Sequence, residues 1–380
     1  MRLAMIGCGY VANMYRLTLP LHPELELVGV LDRDSVRASS MGELTSAKVY
    51  RDIDELLADN TVDLVLNLTN PASHYELTLA CLNAGKHVFT EKPLALRLEQ
   101  AKELVQVAER NRLQLSSAPC TLLNPAAQSV WKALREEPVG PVRLVYAEME
   151  DGMVHRMPVH KWINEAGVPW PYRDEFETGC TIEHAGYVLS WLAAFFGPAR
   201  TVSAFSTTIA PDKAPGEGIR PAQDFSMGCI TFDNGVVARL TCGIYAPLDH
   251  TMRFFGDEGV IEVADPRNDK SPIRVQHYIT VRRRRMLSPW RRRYPLVGSG
   301  KREVRYRGSQ RRDFCAGIAD MAEAITADRM CRLPARFCLH VNEITLALHN
   351  ALDQASPYRM TTSFGPVDPM PWAVEPEGSR

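Results

Sequence analysis

Residues 2–12 read RLAMIGCGYVA, an apolar run followed by a glycine-rich turn. The turn fits the pattern G-x-G-x-x-G/A. The first glycine permits a tight turn, the second lets a pyrophosphate approach the backbone, and the small third residue lets a helix pack closely on the strand. The start of the following helix would offer free N–H groups to phosphate. The stretch predicts a Rossmann dinucleotide-binding fold, with cofactor contacts from Gly7, Gly9, Tyr10, Val11 and Ala12.

An acidic residue follows the second predicted strand, residues 25–31. Asp32 lies about 20 residues after the glycine turn, where a carboxylate binds the ribose hydroxyls of a dinucleotide. Asp32 favours NAD, because a carboxylate repels a 2′-phosphate. Arg33 beside it could instead receive that phosphate, so NADP stays the alternative cofactor.

Strand and helix patterns alternate up to about residue 120, which predicts a parallel α/β sheet with right-handed crossovers. Beyond this point the pattern changes to long strands joined by hairpin turns, such as Asp233-Asn234-Gly235. We therefore expect an N-terminal Rossmann fold over residues 1–120. Residues 121–380 are expected to form an α+β domain with a large, mainly antiparallel, open-faced sheet that binds substrate and mediates oligomerisation.

The composition argues against several function classes. The formal net charge of −1 gives no support for general binding to nucleic acid. None of the nine cysteines forms C-x-x-C, so reduced thiols are expected rather than disulfides or a zinc site, and no metal is predicted. No apolar run reaches signal-peptide or transmembrane length. The expected location is the cytoplasm.

Two further motifs follow buried strands of the first half. Thr69-Asn70-Pro71-Ala72-Ser73-His74 comes after the apolar run 62–68, and Glu91-Lys92-Pro93 comes after the strand 87–90. Both lie at the carboxyl edge of the predicted sheet, where ligands of open α/β sheets bind. With the glycine turn, these motifs resemble the Gfo/Idh/MocA oxidoreductase family over nearly the whole chain.

The resemblance implies a Rossmann domain followed by an open sheet whose face covers the nicotinamide and binds a sugar, cyclitol or similar polyol. It implies that Lys92 contacts the reacting hydroxyl and the nicotinamide ribose. A lysine there would stabilise alkoxide character as hydride leaves. Glu91 is expected to orient the ammonium and Pro93 to fix the turn, with a cis peptide as one option. The remaining cofactor residues implied at this edge are Thr69, Asn70, Pro71 and His74.

One stretch departs from the commoner family pattern, which is a glycine-rich turn, an Asp and, four residues later, a His. Alignment on Gly179 places Glu183 at the Asp position and Tyr187 at the His position. Branches of the family that resemble glucose–fructose oxidoreductase carry a catalytic tyrosine there. Tyr187 is thus the first candidate for the acid/base group. His184 is the competing candidate, because histidine ordinarily titrates near neutrality. A structural role for both is the remaining alternative.

Other residues are candidates for the substrate site. Arg173 lies within a segment that resembles the family's Trp-Arg segment, and it could reach the cofactor or the substrate or form an interdomain salt bridge. Trp162 could line the same cleft. Glu183 and Lys92 are also expected to contact substrate.

Arginines crowd the segment 282–312. One interpretation is the solvated face of an edge strand, where like charges prevent unwanted pairing. Others are an oligomer contact, an acidic membrane surface, or a site for a phosphorylated or nucleotide-linked sugar. Nucleic-acid binding is disfavoured by the overall neutrality.

The sequence as a whole predicts an NAD(P)-dependent oxidoreductase that interconverts a secondary alcohol and a ketone on a sugar, nucleotide sugar or cyclitol. We expect a homo-oligomer formed through the C-terminal sheet. Two alternatives stay open. One is a lyase or glycosidase that retains NAD and uses transient oxidation. The other is a non-catalytic scaffold or sensor that binds dinucleotide.

Overall fold

Two sheets organise the chain in the computed structural model, which describes residues 1–213, 218–298, 312–350, 352 and 356–374. The first sheet contains six parallel strands. They are β1 (Arg2–Ile6), β2 (Glu26–Leu31), β3 (Lys48–Val49), β4 (Leu64–Asn67), β5 (His87–Thr90) and β6 (Leu115–Ser117). The helices between them are α1 (Tyr10–Thr18), α2 (Ser35–Thr45), α3 (Ile53–Ala58), α4 (Pro71–Asn83) and α5 (Leu98–Arg110).

The spatial order of the first sheet is β3-β2-β1-β4-β5-β6, which is the doubly wound Rossmann arrangement. Its central strands are apolar runs buried on both faces, as in β4, because helices cover both sides of the sheet. Side chains start two of the helices. Asp34 caps α2 and Asp52 caps α3, each accepting backbone N–H bonds.

The second sheet contains ten strands. They are β7 (Val142–Glu150), β8 (Ala199–Thr207), β9 (Phe225–Phe232), β10 (Val237–Gly243), β11 (Met252–Gly256), β12 (Gly259–Val263), β13 (Ile273–Val281), β14 (Arg284–Leu287), β15 (Arg292–Tyr294) and β16 (Tyr358–Arg359). The order is β14-β13-β12-β11-β7-β10-β9-β8-β16, and β15 also pairs with β13. All pairs are antiparallel except β7–β10, which is parallel. The predicted fold class is confirmed.

The remaining helices follow β6 along the chain. They are α6 (Pro125–Glu136), α7 (Tyr172–Thr178), α8 (Cys180–His184), α9 (Gly186–Phe196), α10 (Ala316–Thr326), α11 (Ala335–Leu348) and α12 (Pro371–Val374). Ala185 separates α8 from α9, and the C-terminal tail contributes β16 and α12.

Helix α11 joins the two sheets. Asn342 on α11 donates to the backbone carbonyl of Ala95 at 3.0 Å, and Arg336 binds Glu109 of α5. On the other side, His340 accepts a hydrogen bond from the backbone N–H of Ala199, the first residue of β8. The helix is therefore packed between the first sheet and the second.

All nine cysteines are free thiols, and only Cys229 is exposed. No helix in the described ranges is long and apolar enough to cross a membrane.

Candidate active site

The glycine turn leaves open space where a phosphate would lie. Gly7 has φ +92°, and a Cβ there would lie 2.7 Å from the carbonyl of Leu68, so only glycine fits. A Cβ on Gly9 would meet nothing within 4 Å. Gly9 starts α1, and no side chain caps the helix. Its N–H groups are thus available to an anion, as a pyrophosphate site requires.

Asp32 ties this turn to the end of β2. Its Oδ2 accepts from the N–H of Cys8 at 2.7 Å, and its Oδ1 accepts from the N–H of Asp34 at 2.8 Å. A carboxylate has about four acceptor positions, so positions remain for ribose hydroxyls. Arg33 and Arg37 line the cleft beside it, and Arg37 Nε lies 3.4 Å from Asp34.

The turn after β4 brings Thr69, Asn70 and Pro71 to the cleft, but not His74. The imidazole of His74 is completely buried, with Nδ1 2.7 Å from the carbonyl of Pro93 and Nε2 3.0 Å from that of Thr69. Burial lowers its pKa. The expected cofactor contact is corrected: His74 links the two turns from behind. The reason is that the first turn of α4 points this side chain into the protein.

Glu91 also has a different role from the one expected. Its Oε1 accepts from the buried Tyr15 hydroxyl at 2.7 Å, and its Oε2 accepts from the backbone N–H of Lys92 at 3.1 Å. Because both oxygens are engaged in this way, Glu91 fixes the turn rather than orienting the ammonium of Lys92. The following peptide, Lys92–Pro93, is cis.

The Lys92 ammonium instead pairs with the carboxylate of Glu183 from α8. Glu183 is buried, and the lysine side chain is 17% exposed, toward the cleft. Burial by itself lowers the pKa of Lys92, but attraction to Glu183 and Glu175 outweighs it and raises the pKa above the ordinary value. Lys92 is therefore a positioned cation at the carboxyl edge of the first sheet.

Tyr187 lies in the same cleft, on the first turn of α9. Arg312 Nη2 donates to the Tyr187 hydroxyl at 2.8 Å. The guanidinium also lies over the Tyr187 ring, 4.6 Å from its centroid, and over the ring of Phe314. The buried guanidinium of Arg312 therefore contacts both the hydroxyl and the ring of Tyr187.

His184 projects from α8 into an acidic surrounding. Its Nδ1 lies 2.6 Å from Asp151 and its Nε2 lies 3.7 Å from Glu175. Burial alone raises the pKa of Asp151, but His184, His250 and nearby charge lower it well below the ordinary value. Burial, together with Glu183, raises the pKa of Glu175. The two candidates for proton transfer therefore have different partners, a cation for Tyr187 and carboxylates for His184.

Four further cleft residues, Asp151, His250, Asp265 and Arg267, were absent from the sequence prediction. Arg267 lies 3.1 Å from Asp151 and donates to the ring of His250, which lies 3.5 Å from Asp265. His250, Asp265 and Arg267 lie next to strand ends that are 99 to 116 residues further along the chain than Asp151. Only the position of Asp151 directly after a long predicted strand could have indicated it.

Aromatic side chains form another wall of the cleft. The Trp162 and Trp170 rings are 5.1 Å apart, and Trp170 and Tyr172 each meet Phe176 edge to face. Arg173 is exposed and lines the cleft with them.

The loop that carries this wall reaches the first sheet. Asn164 Nδ2 donates to the carbonyl of Tyr10 at 3.2 Å, and Glu165 pairs with Arg16 of α1. The loop thereby closes one side of the cleft.

These groups share one cleft of about 1400 Å³ between the two sheets. The predicted site residues that line it are Gly7, Gly9, Tyr10, Val11, Asp32, Arg33, Thr69, Asn70, Pro71, Glu91, Lys92, Trp162, Arg173, Glu183, His184 and Tyr187. Ala12, His74 and Pro93 do not line it. The small side chain of Ala12 is buried, as close helix packing requires. Pro93 follows Lys92 and contributes its carbonyl to His74.

The arginine-rich segment divides in the structure. Arg282 and Arg283 form the turn between β13 and β14, and Arg284, Arg285 and Arg291–Arg293 lie on or next to β14 and β15, away from the cleft. Arg302, Arg305, Arg307 and Arg311 lie outside the described residues. Arg312 alone among the described arginines of the segment enters the cleft. Within the described residues, no cluster of three or more His, Cys, Asp or Glu side chains could hold a metal ion.

Comparison with known proteins agrees with this geometry. Residues 1–118 match the model of the Gfo/Idh/MocA oxidoreductase family, NAD-binding Rossmann fold, and residues 127–262 match the family's C-terminal domain. The trans-1,2-dihydrobenzene-1,2-diol dehydrogenase of Bos taurus is 25% identical over 70% of this chain and 75% of its own.

Two solved structures share the fold. One is the 3-ketoreductase KijD10 of Actinomadura kijaniata in complex with NADP, with TM-score 0.69 and 20% identity over 92% of this chain and 97% of that one. The other is the aldose–aldose oxidoreductase of Caulobacter crescentus, with TM-score 0.71 and 18% identity over 95% and 99%. With both domain models matched in order, the chain belongs to the Gfo/Idh/MocA family of NAD(P)-dependent oxidoreductases.

Proposed function

We propose that the enzyme interconverts a secondary alcohol and a ketone on a sugar, nucleotide sugar or cyclitol. The observation that carries this proposal is the placement of Lys92 and Tyr187 in one cleft with the uncapped start of α1. A dinucleotide bound along that edge would supply or accept the hydride. The residues of the chain then have only to hold the reacting oxygen and manage its proton.

In this proposal Lys92 polarises the reacting oxygen. Its ammonium stabilises negative charge on that oxygen in the transition state, where the low dielectric of a closed cleft strengthens the interaction. Glu183 holds the ammonium in place. It takes the place of the family's commoner Asp, and its carboxylate keeps the buried lysine charged.

Tyr187 exchanges the proton of the same oxygen. The branch of the family that carries a tyrosine at this position is the one to which we assign the chain. The buried Arg312 donates to the hydroxyl oxygen of Tyr187, which leaves the O–H proton of the phenol for the substrate oxygen. His184 is the competing candidate, with Asp151 and Glu175 beside it.

The substrate class is supported by two features. The aromatic wall offers ring faces to the apolar side of a sugar or diol ring, and the carboxylates and histidines opposite offer partners for hydroxyl groups. The relatives bearing on this class are named a dihydrodiol dehydrogenase, a 3-ketoreductase and an aldose–aldose oxidoreductase.

A substrate screen tests the function. Purified enzyme is incubated with NAD or NADP and a panel of sugars, nucleotide sugars, cyclitols and cyclic diols, and NAD(P)H absorbance is followed. We expect stoichiometric cofactor reduction with at least one member. If substrate is consumed while the cofactor copurifies and never turns over in bulk, the lyase or glycosidase alternative replaces the proposal. Cofactor binding without turnover of any compound would favour the scaffold or sensor.

The cofactor preference gives a second prediction. Wild-type enzyme is expected to prefer NAD, because the Asp32 carboxylate faces the cleft. Asp32→Ser should weaken NAD by roughly 10- to 100-fold through loss of charged hydrogen bonds, while NADP gains from Arg33 and Arg37. Dissociation constants for both cofactors, measured by fluorescence titration, decide this. Asp34→Ser is the control, because Asp34 is two residues further along the chain and does not line the cleft. Equal weakening of both cofactors by Asp32→Ser would contradict the role given to Asp32.

A homo-oligomer through the second sheet is also proposed. Strands β8 and β9 bury alternate side chains, and on their outward face Phe205 (57% exposed) lies directly opposite Met227. A paired apolar patch of this kind is typical of a subunit contact. Phe205→Asp combined with Met227→Asp should reduce the molar mass in light scattering, whereas Met330→Asp, at another exposed methionine, should not. An unchanged mass for the double variant would refute the contact.

A further inference from the structure

The arginine hairpin, residues 281–293, has no role in the proposed chemistry. It contains seven arginines and no acidic residue, in a chain whose net charge is −1. None of its residues lines the catalytic cleft. Seven positive charges close together repel one another, and an anionic partner would relieve that repulsion.

The hairpin extends past the core of the second sheet. Strand β13 is buried at Ile273 and exposed at Val281, and β14 is exposed over its whole length. The turn between them is formed by Arg282 and Arg283. Because β14 is the last strand on this side of the sheet, the charged tip is free to meet a large surface.

Most of the charge is not neutralised within the protein. Arg285 pairs with Glu258 and Arg291 with Glu262. Among the described residues, no ion pair is formed by Arg282, Arg283, Arg284, Arg292 or Arg293. Five guanidinium groups therefore remain available to an external anion.

Apolar side chains stand beside these arginines. Trp290 is 73% exposed, and Val281, Met286 and Leu287 are exposed as well. Arginine and tryptophan together suit either nucleic acid or a lipid interface. The exposed aliphatic side chains separate the two, since a nucleic acid offers them nothing to bury against, whereas the boundary of headgroups and acyl chains does.

We propose that the arginine hairpin docks on a membrane surface that contains anionic phospholipids. The arginines bind the headgroup phosphates and carboxylates, and Trp290 with its aliphatic neighbours enters the interface. The protein binds peripherally in this arrangement, and the catalytic cleft stays open to solvent because it lies on other elements. This proposal does not depend on the substrate or on the identity of the acid/base group.

Vesicle co-sedimentation of the full-length protein tests the proposal. Phosphatidylcholine vesicles with and without phosphatidylserine are compared at low and high salt. Wild-type protein should sediment only with the anionic vesicles, and less at high salt because the attraction is screened. The variant Arg283→Gln, Arg284→Gln, Arg292→Gln should lower the partition coefficient by about tenfold or more. Trp290→Ala should lower the partition coefficient by a smaller factor, and it should reduce the fraction of protein that stays bound at high salt.

A matched control removes the same charge elsewhere. Arg110, Arg200 and Arg359 are exposed and lie away from the hairpin, so changing all three to Gln should leave vesicle binding as in wild type. Equal loss in the control, or no dependence on phosphatidylserine, overturns the proposal. Binding to a single-stranded oligonucleotide but not to vesicles would identify a nucleic-acid surface instead. A change in molar mass of the hairpin variant would identify a contact between copies of this chain.

Discussion

Lys92→Met is expected to lower kcat by about 10²- to 10³-fold, the usual effect of removing one group that stabilises a developing oxyanion. Methionine keeps most of the volume and removes the charge. Cofactor affinity should fall by a much smaller factor, because the ammonium is expected to reach only the nicotinamide ribose, while the glycine turn and Asp32 hold the rest of the dinucleotide. Steady-state kinetics with the substrate found in the screen, together with a cofactor titration, check both statements.

The partner of Lys92 complicates this experiment in a predictable way. Glu183 is buried, and the single variant would leave its carboxylate without its cation, which costs about 3–5 kcal/mol when a buried pair is broken. The double variant Lys92→Met, Glu183→Gln removes both charges. It should recover stability in thermal unfolding while remaining inactive. Recovery of activity together with stability would show that Lys92 serves only the fold.

Tyr187→Phe is expected to lower kcat by about 10²- to 10⁴-fold, the range assigned to a general acid or base. Phenylalanine retains the ring that packs under Arg312 and loses only the hydroxyl. KM should change less than kcat, because the hydroxyl acts on the proton rather than on the whole substrate. The limb of the kcat–pH profile that reports the acid/base group should disappear in this variant.

His184→Gln is the matched comparison for Tyr187. Glutamine can still donate a hydrogen bond toward Asp151 but cannot carry the proton, so a positioning role for His184 predicts a loss below about tenfold. The reverse order of effects, with a small loss for Tyr187→Phe and a large one for His184→Gln, would transfer the acid/base role to His184. The pH limb would then disappear in the histidine variant.

The N-terminal half could be predicted well because its signals are local. The glycine turn, Asp32 and Glu91-Lys92-Pro93 each follow a buried strand, and the parallel sheet brings all strand ends to one edge. His74 shows the limit of this reasoning. The motif places His74 next to the turn after β4, but the direction of its side chain depends on how α4 packs. A short sequence motif carries no information about that packing.

The far wall of the cleft could not be predicted for a different reason. Asp151, His250 and Arg267 meet because β7 pairs with β11 and β11 pairs with β12, which joins segments that are distant in the sequence. Arg312 was hidden in a segment whose other described arginines are exposed. The arginine content of the segment treats all its arginines alike, and only the structure shows that Arg312 is buried.

Helix α11 has a consequence for how the protein is made. It covers α5 and β6 of the first sheet, yet it starts only at residue 335. On the ribosome the Rossmann segment emerges before α11, and one of its apolar surfaces stays uncovered until the residues of α11 have been synthesised. During that interval the nascent chain is a partly folded intermediate with exposed apolar surface, which makes it prone to aggregation. A chain truncated before α11 is therefore expected to aggregate rather than to form a small, stable nucleotide-binding domain.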